Sequence, residues 1–142
     1  MIRQPEIIIK ENSVELAKAG ADIFTGLAKD CVSNDGCFTV AVSGGSTPRT
    51  MHRLLTEKPY LTHIPWGKTH IFWVDDRCVP YDDPASNYGA AKADLLDVVP
   101  IPENNVHSMP VDIPPEEGAI KYQDNILRHF NTQVVKRLSL TW

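Results

Sequence analysis

The stretch Phe38-Thr39-Val40-Ala41-Val42-Ser43-Gly44-Gly45-Ser46-Thr47-Pro48 decides the fold. Its first five residues form a short, β-branched and apolar run with glycines on either side, which reads as a buried strand. Thr47 is a good N-cap and Pro48 suits the first helical position. A helix is therefore expected next, with Met51, Leu54 and Leu55 on its apolar face and an end near Lys58-Pro59. Strand, glycine turn and helix is the local order. Such a turn brings unhindered backbone to a helix N-terminus, where free N–H groups and the helix dipole favour an anion. On these residues alone two readings stay open. Ser43, Gly44, Gly45, Ser46 and Thr47 make a phosphate cradle with three neutral hydroxyl donors, or they make a tight connection that needs glycine for its backbone angles.

Outward from this stretch the same alternation continues. Toward the N-terminus, Asn12 and Glu15 have capping-box spacing, and Val14, Ala17, Ala21, Phe24, Leu27 and Cys31 recur at helical intervals until Asn34-Asp35-Gly36 stops them. Toward the C-terminus, Thr69 to Val74 is a second apolar strand that runs out into Asp75-Asp76-Arg77. Ser86 is a candidate cap for a helix through Ala90, Ala91, Leu95 and Leu96 that stops before Pro100, and Val106 to Met109 reads as a further strand. Pro114-Pro115-Glu116-Glu117 opens a last helix with acidic residues at its positive end, and Ile120, Ile126, Leu127 and Phe130 supply its buried side. Alternating strands and helices imply an α/β fold with a doubly wound, mostly parallel, Rossmann-like sheet, in which ligands collect beyond the carboxyl ends of the strands. The glycine turn and the charged cluster both fall there.

Composition narrows the function. A chain of 142 residues with 42% hydrophobic content is one ordinary domain. With 14 Lys and Arg against 18 Asp and Glu and no basic block, no nucleic-acid partner is expected. No stretch approaches transmembrane length and the run Ile7 to Ile9 is too short for a signal peptide, so the expectation is a cytoplasmic protein with no membrane partner. Cys31, Cys37 and Cys78 are odd in number and scattered, and are expected as reduced thiols. None of His52, His63, His70, His107 and His129 has the sequence context of a general base. His70 alternates with Phe72 and reads as a packed core residue, while His129 near a helix end complements the dipole. Trp66, Trp73 and Trp142 are expected to pack. No metal ligand set is predicted.

The chemistry of the charged cluster follows from its place at a strand exit. Asp75 offers a carboxylate for sugar hydroxyls or water, and Arg77 offers a guanidinium for phosphate or a developing oxyanion; the alternative is a solvated turn with a surface ion pair. Because no Lys follows the glycines and Gly-x-Gly-x-x-Gly is absent, a nucleotide is disfavoured and a phosphorylated sugar is the natural ligand.

Taken together, Ser43-Gly44-Gly45-Ser46-Thr47-Pro48 and the segment Trp66-Gly67-Lys68-Thr69-His70-Ile71-Phe72-Trp73-Val74-Asp75-Asp76-Arg77-Cys78-Val79-Pro80 resemble 6-phosphogluconolactonases. The resemblance runs on through Ser86-Asn87-Tyr88, Leu95-Leu96, Ile101 to His107 and the Ala119 to Tyr122 spacing, up to Phe130. It fits lactonases better than the related glucosamine-6-phosphate deaminases, and Asp75-Asp76-Arg77 stands where lactonases usually carry Asp-Glu-Arg. The implied activity is hydrolysis of 6-phosphoglucono-1,5-lactone to 6-phosphogluconate in the pentose phosphate pathway, with a phosphorylated sugar lactone as the small-molecule partner and neither metal nor organic cofactor. Lactonases continue into a Gly-x-Gly-x-Asp-Gly-His segment whose histidine is regarded as the base; the final residues here, Asn131 to Trp142, do not match it. The resemblance thus implies an incomplete lactonase-like domain over residues 1–130, truncated at its C-terminus, and a divergent tail over 131–142. It also implies substrate contacts from Ser43 to Thr47 and Arg77, catalytic roles for Asp75 and Arg77, and weak or absent turnover. A noncatalytic phosphosugar- or partner-binding short form and an aminosugar-phosphate deaminase or isomerase are the alternatives.

Overall fold

The computed structural model describes residues 6–131; the first five residues and residues 132–142, which include Trp142 and nearly all of the expected tail, lie outside the described residues. Helix α1 (Ser13–Asp35) begins where its cap demands, with the Asn12 side-chain oxygen accepting from the N–H groups of Val14 at 3.0 Å and Glu15 at 2.9 Å. Ala17, Ala21, Phe24 and Ala28 make its buried face. Val14 and Leu27, expected on that face, are exposed, because α1 presents mainly small residues to its neighbours and these lie off that line.

Three parallel strands, β1 (Phe38–Val42), β2 (Thr69–Trp73) and β3 (Val106–His107), lie in that order, with Val42 beside Trp73 and Phe72 beside His107. The third strand is shorter than the expected Val106 to Met109. Side-chain alternation divides the sheet into two faces. Phe38, Val42, Ile71 and Trp73 join Phe24, Ala28 and Leu55 in one core beneath α1 and α2 (Ser46–Leu55). Thr39, His70 and Phe72 point the other way, where they meet α5 (Pro115–His129) through His129 and Tyr122. Helices thus cover both faces of a parallel sheet, as the sequence predicts. Between β1 and β2, the short α3 (Tyr60–His63) is tied to α1 by the Tyr60 hydroxyl, which donates to Asp22 at 2.7 Å. Helix α4 (Asn87–Ala91), capped by Ser86, runs on through a wide π turn at Lys92–Leu96 that buries Leu95.

Two expectations are corrected. Thr47 is not the cap of α2: the helix starts two residues earlier than expected, at Ser46 with Gly45 at the cap position, so Thr47 and Pro48 lie inside the first turn. The buried side of α5 consists of Gly118 and Tyr122, while Ile120 and Phe130 are exposed and Ile126 and Leu127 half-buried. The reason is local. The Tyr122 hydroxyl donates to the Trp73 carbonyl at 2.9 Å and accepts the Trp73 N–H at 2.8 Å, and Gly118 lies so close to the Pro110 carbonyl that a Cβ would meet it at 2.8 Å. Those two contacts fix the rotation of α5 in place of an apolar stripe.

Candidate functional site

The pairing of β1 with β2 continues one residue past the strands, where the Val74 N–H donates to the Val42 carbonyl at 2.9 Å. Ser43 to Thr47 and Asp75 to Arg77 therefore leave neighbouring strands at the same end of the sheet. Gly45 has φ 106° and ψ 167°, a left-handed backbone that explains a glycine there. No side chain caps α2, so the N–H groups of its first turn, which lack intrahelical partners, are open to an anion. Ser43, Gly45, Ser46 and Thr47 are exposed. Gly44 is close-packed instead: a Cβ on it would lie 1.9 Å from the Asn87 side-chain oxygen.

Asn87 joins the two motifs. Buried to 8% exposure, it packs against Gly44 and donates from its side-chain amide to the Asp75 carbonyl at 3.0 Å. Asp76 does the fastening: its carboxylate accepts the N–H groups of Asn87 at 2.7 Å, Tyr88 at 3.0 Å and Arg77 at 2.8 Å, which anchors the start of α4 to the end of β2. Its neighbours in sequence are left free for solvent or ligand. Asp75 and Arg77 stay more than half exposed, with Arg77 Nε 4.0 Å from the Asp75 carboxylate. That separation is a loose surface pair, which leaves the guanidinium able to turn toward an anion.

A second clamp holds α2. Asp94 accepts from Arg49 Nε at 2.6 Å and Arg53 Nε at 2.9 Å, binding α2 to the π turn. The hydrogen bond from Arg49 and, behind it, the one from Arg53 hold the Asp94 carboxyl below its ordinary pKa against the opposing effect of burial. Sequence reasoning names Asp76 only as part of the charged cluster and Asn87 only within the run Ser86 to Tyr88, assigns neither a framing role, and does not reach Asp94. The adjacency of Ser86-Asn87-Tyr88 to a helix start was the available signal.

A cleft of about 300 Å³ lies between α1, the end of β1 and α2, and Ser43, Thr47, Met51 and His52 are among its lining. His52 is buried at 2% exposure and neither ring nitrogen finds a hydrogen-bond partner among the described residues. Burial lowers its pKa, opposed by Asp94 and assisted by Arg49. Trp66 and Trp73 are buried as expected, and the three cysteines are free.

On the opposite face of the sheet, His70, His107 and His129 come together, a grouping that sequence reasoning missed. His70 Nδ1 lies 3.2 Å from His107 Nε2, and His129 Nε2 lies 2.8 Å from the Thr39 hydroxyl. His70 is thus not a closed core residue but a half-buried member of a polar cluster. Nor does His129 complement a helix dipole as a cation: burial, then His70, then His107 lower its pKa to about 4, which keeps it neutral near pH 7. Burial likewise lowers His70, and burial with the neighbouring His70 lowers His107.

Comparison with known proteins gives concordant matches. Residues 11–142 match the family model described as glucosamine-6-phosphate isomerases/6-phosphogluconolactonase. The chain is 38% identical over 129 residues to probable 6-phosphogluconolactonase 3, chloroplastic, of Oryza sativa subsp. japonica, covering 91% of this chain and 39% of the relative. It is 33% identical over 134 residues to the 6-phosphogluconolactonase of Synechocystis sp., covering 94% of this chain and 53% of the relative. Among solved structures, 6-phosphogluconolactonase from Trypanosoma cruzi superposes with a TM-score of 0.80 at 26% identity, over 96% of this chain and 54% of that one. The chain therefore spans about half the length of these relatives or less.

Proposed function

The chain belongs to the glucosamine-6-phosphate isomerase/6-phosphogluconolactonase family, and on that premise we propose that its strand-end site binds the phosphate of a phosphorylated sugar lactone. Ser43, Gly44, Gly45, Ser46 and Thr47 receive the phosphate at the start of α2. Arg77 contacts phosphate or the developing oxyanion, and Asp75 positions sugar hydroxyls or water. The observation that carries this reading is the exposed, uncapped N-terminus of α2, which follows β1 at the same end of the sheet where β2 gives way to Asp75 and the exposed Arg77.

The reaction is hydrolysis of 6-phosphoglucono-1,5-lactone to 6-phosphogluconate. Water adds to the lactone carbonyl, a tetrahedral oxyanion forms, and its collapse releases the ring oxygen, which takes up a proton. Removing the proton from the attacking water calls for a base. Among the described residues no histidine hydrogen-bonds to Asp75 or Arg77, and His52, which lines the cleft beside Ser43 and Thr47, is closed off from solvent. Positioned bases contribute about 10² to 10⁴ in rate, so the 142-residue chain binds ligand but turns over slowly. The lactonase names of the relatives favour hydrolysis over aminosugar-phosphate deamination.

The test is a calorimetric titration with 6-phosphogluconate, run beside a lactone assay corrected for spontaneous ring opening. The assay also includes a version extended through a Gly-x-Gly-x-Asp-Gly-His segment. The expected result is saturable binding by both and rapid hydrolysis by the extended version alone. Absence of binding overturns the site, equal hydrolysis overturns the account of the base, and ammonia release from glucosamine 6-phosphate overturns the reaction assignment.

A further inference from the structure

The histidine cluster lies on the sheet face away from the strand-end site, and the lactone chemistry does not use it. We propose that His70, His107 and His129 form a binding site for a divalent cation of the zinc type. Each residue offers one nitrogen, and the three nitrogens all lie within 4.8 Å of one another. A tetrahedral ion with bonds of about 2.0 to 2.1 Å to imidazole nitrogen sets its donors about 3.3 to 3.4 Å apart. His70 Nδ1 and His107 Nε2 already stand at 3.2 Å, so one edge of the donor triangle has the spacing an ion needs, and the His129 nitrogen lies within 4.8 Å of both.

Three features favour a cation over a packed polar contact. First, the ligands come from β2, β3 and α5, and the two strands pair directly, with Phe72, two residues after His70, opposite His107. Their backbones are fixed before any ion arrives. Second, a group that orients one of the imidazoles is present, since the Thr39 hydroxyl lies 2.8 Å from His129 Nε2. Third, Phe72 flanks the site, its ring stacked on His107 with centroids 4.1 Å apart and 5.1 Å from His129, which limits ring motion and water. A set of three imidazoles suits zinc, cobalt, nickel or copper ions, and not the oxygen-seeking magnesium or calcium. The fourth position falls to water. An ion there pins α5 to the sheet, and its binding adds to stability because the unfolded chain holds no such preformed set.

The experiment uses the whole 142-residue chain, stripped with chelator and titrated with zinc ion alone, with magnesium ion as the contrast. One equivalent of zinc is expected to bind, raise the thermal midpoint and slow amide exchange in α5, while magnesium does neither. His107→Gln and His129→Gln each weaken zinc binding at least tenfold, and His63→Gln, at an exposed histidine on α3, leaves it unchanged. X-ray absorption at the zinc edge on the unmodified chain gives a reading independent of any variant: nitrogen neighbours at about 2.0 Å support the site, and sulfur at about 2.3 Å assigns the ion to cysteine and overturns it. Failure to bind zinc, or equal affinity in folded His107→Gln and His129→Gln, also overturns it. None of these outcomes depends on 6-phosphogluconate binding, so the lactonase reading and the metal site stand or fall separately.

Discussion

The two ends of functional interest differ in how they are built. At the strand exits, the residues proposed to meet ligand fall in two short runs of sequence and, Gly44 apart, are exposed, while buried or half-buried neighbours, Asn87, Asp76 and Asp94, hold the elements around them in place. On the α5 face the order is reversed. The polar groups are themselves half-buried, come from three separate elements and hold one another. An exposed site on a clamped frame can lose a contact residue without losing the fold. A half-buried cluster ties its chemistry to stability.

Asp76→Ala is the change expected to break this contrast most strongly, since it removes the carboxylate beneath the exposed motif and not the motif itself. Three N–H groups lose their acceptor, and α4 loses its anchor to β2. A loss of about 2 to 3 kcal/mol in urea-unfolding stability is expected, together with weakened 6-phosphogluconate binding. Unchanged stability would show that the frame does not depend on this clamp.

Arg77→Ala sharpens the contrast from the exposed side. Affinity for 6-phosphogluconate should fall by about 2 kcal/mol with little change in unfolding, because the side chain is 58% exposed and only loosely paired. Lys68→Ala, an exposed residue at the opposite end of β2, is the control and should leave affinity unchanged at matched salt. Equal losses from the two variants would mean that charge attracts the ligand diffusely.

A smaller effect is expected from pH on the histidine face, measured with chelator present. An unfolded imidazole takes up its proton near 6.5, whereas folded His129 resists protonation until about 4. Between those values the unfolded chain binds more protons, so stability is fully present above pH 6.5 and declines as pH falls through the window. Thermal midpoints at pH 7.5, 6 and 5 should fall, and His129→Gln should flatten the slope. A parallel slope in that variant would assign the acid sensitivity to other groups.

The same contrast explains what the sequence made legible. Phe38 to Pro48 could be read because strand, turn and helix signals are carried by adjacent residues, and Asp75 to Arg77 because they end an apolar run. Even there the cap of α2 was misplaced. The left-handed backbone at Gly45 starts the helix before the hydroxyl of Thr47 is reached. His70, His107 and His129 meet only after β2, β3 and α5 have packed, and nothing in the spacing of three isolated histidines announces that. The rotation of α5 escaped for a related reason: Tyr122 bonds to the Trp73 backbone and Gly118 approaches Pro110, and neither contact leaves an apolar period in the sequence.

The central claim is that backbone at the glycine turn holds phosphate. Gly45→Val tests it most directly, because the left-handed backbone there costs a β-branched residue about 1 to 3 kcal/mol, while the space around it is open, with Pro48 Cδ 3.9 Å from the position of a Cβ. Calorimetric titration of 6-phosphogluconate into the unaltered chain and into folded Gly45→Val should give saturable binding in the first and none in the second. Equal affinity in the two would place the phosphate elsewhere and contradict the account.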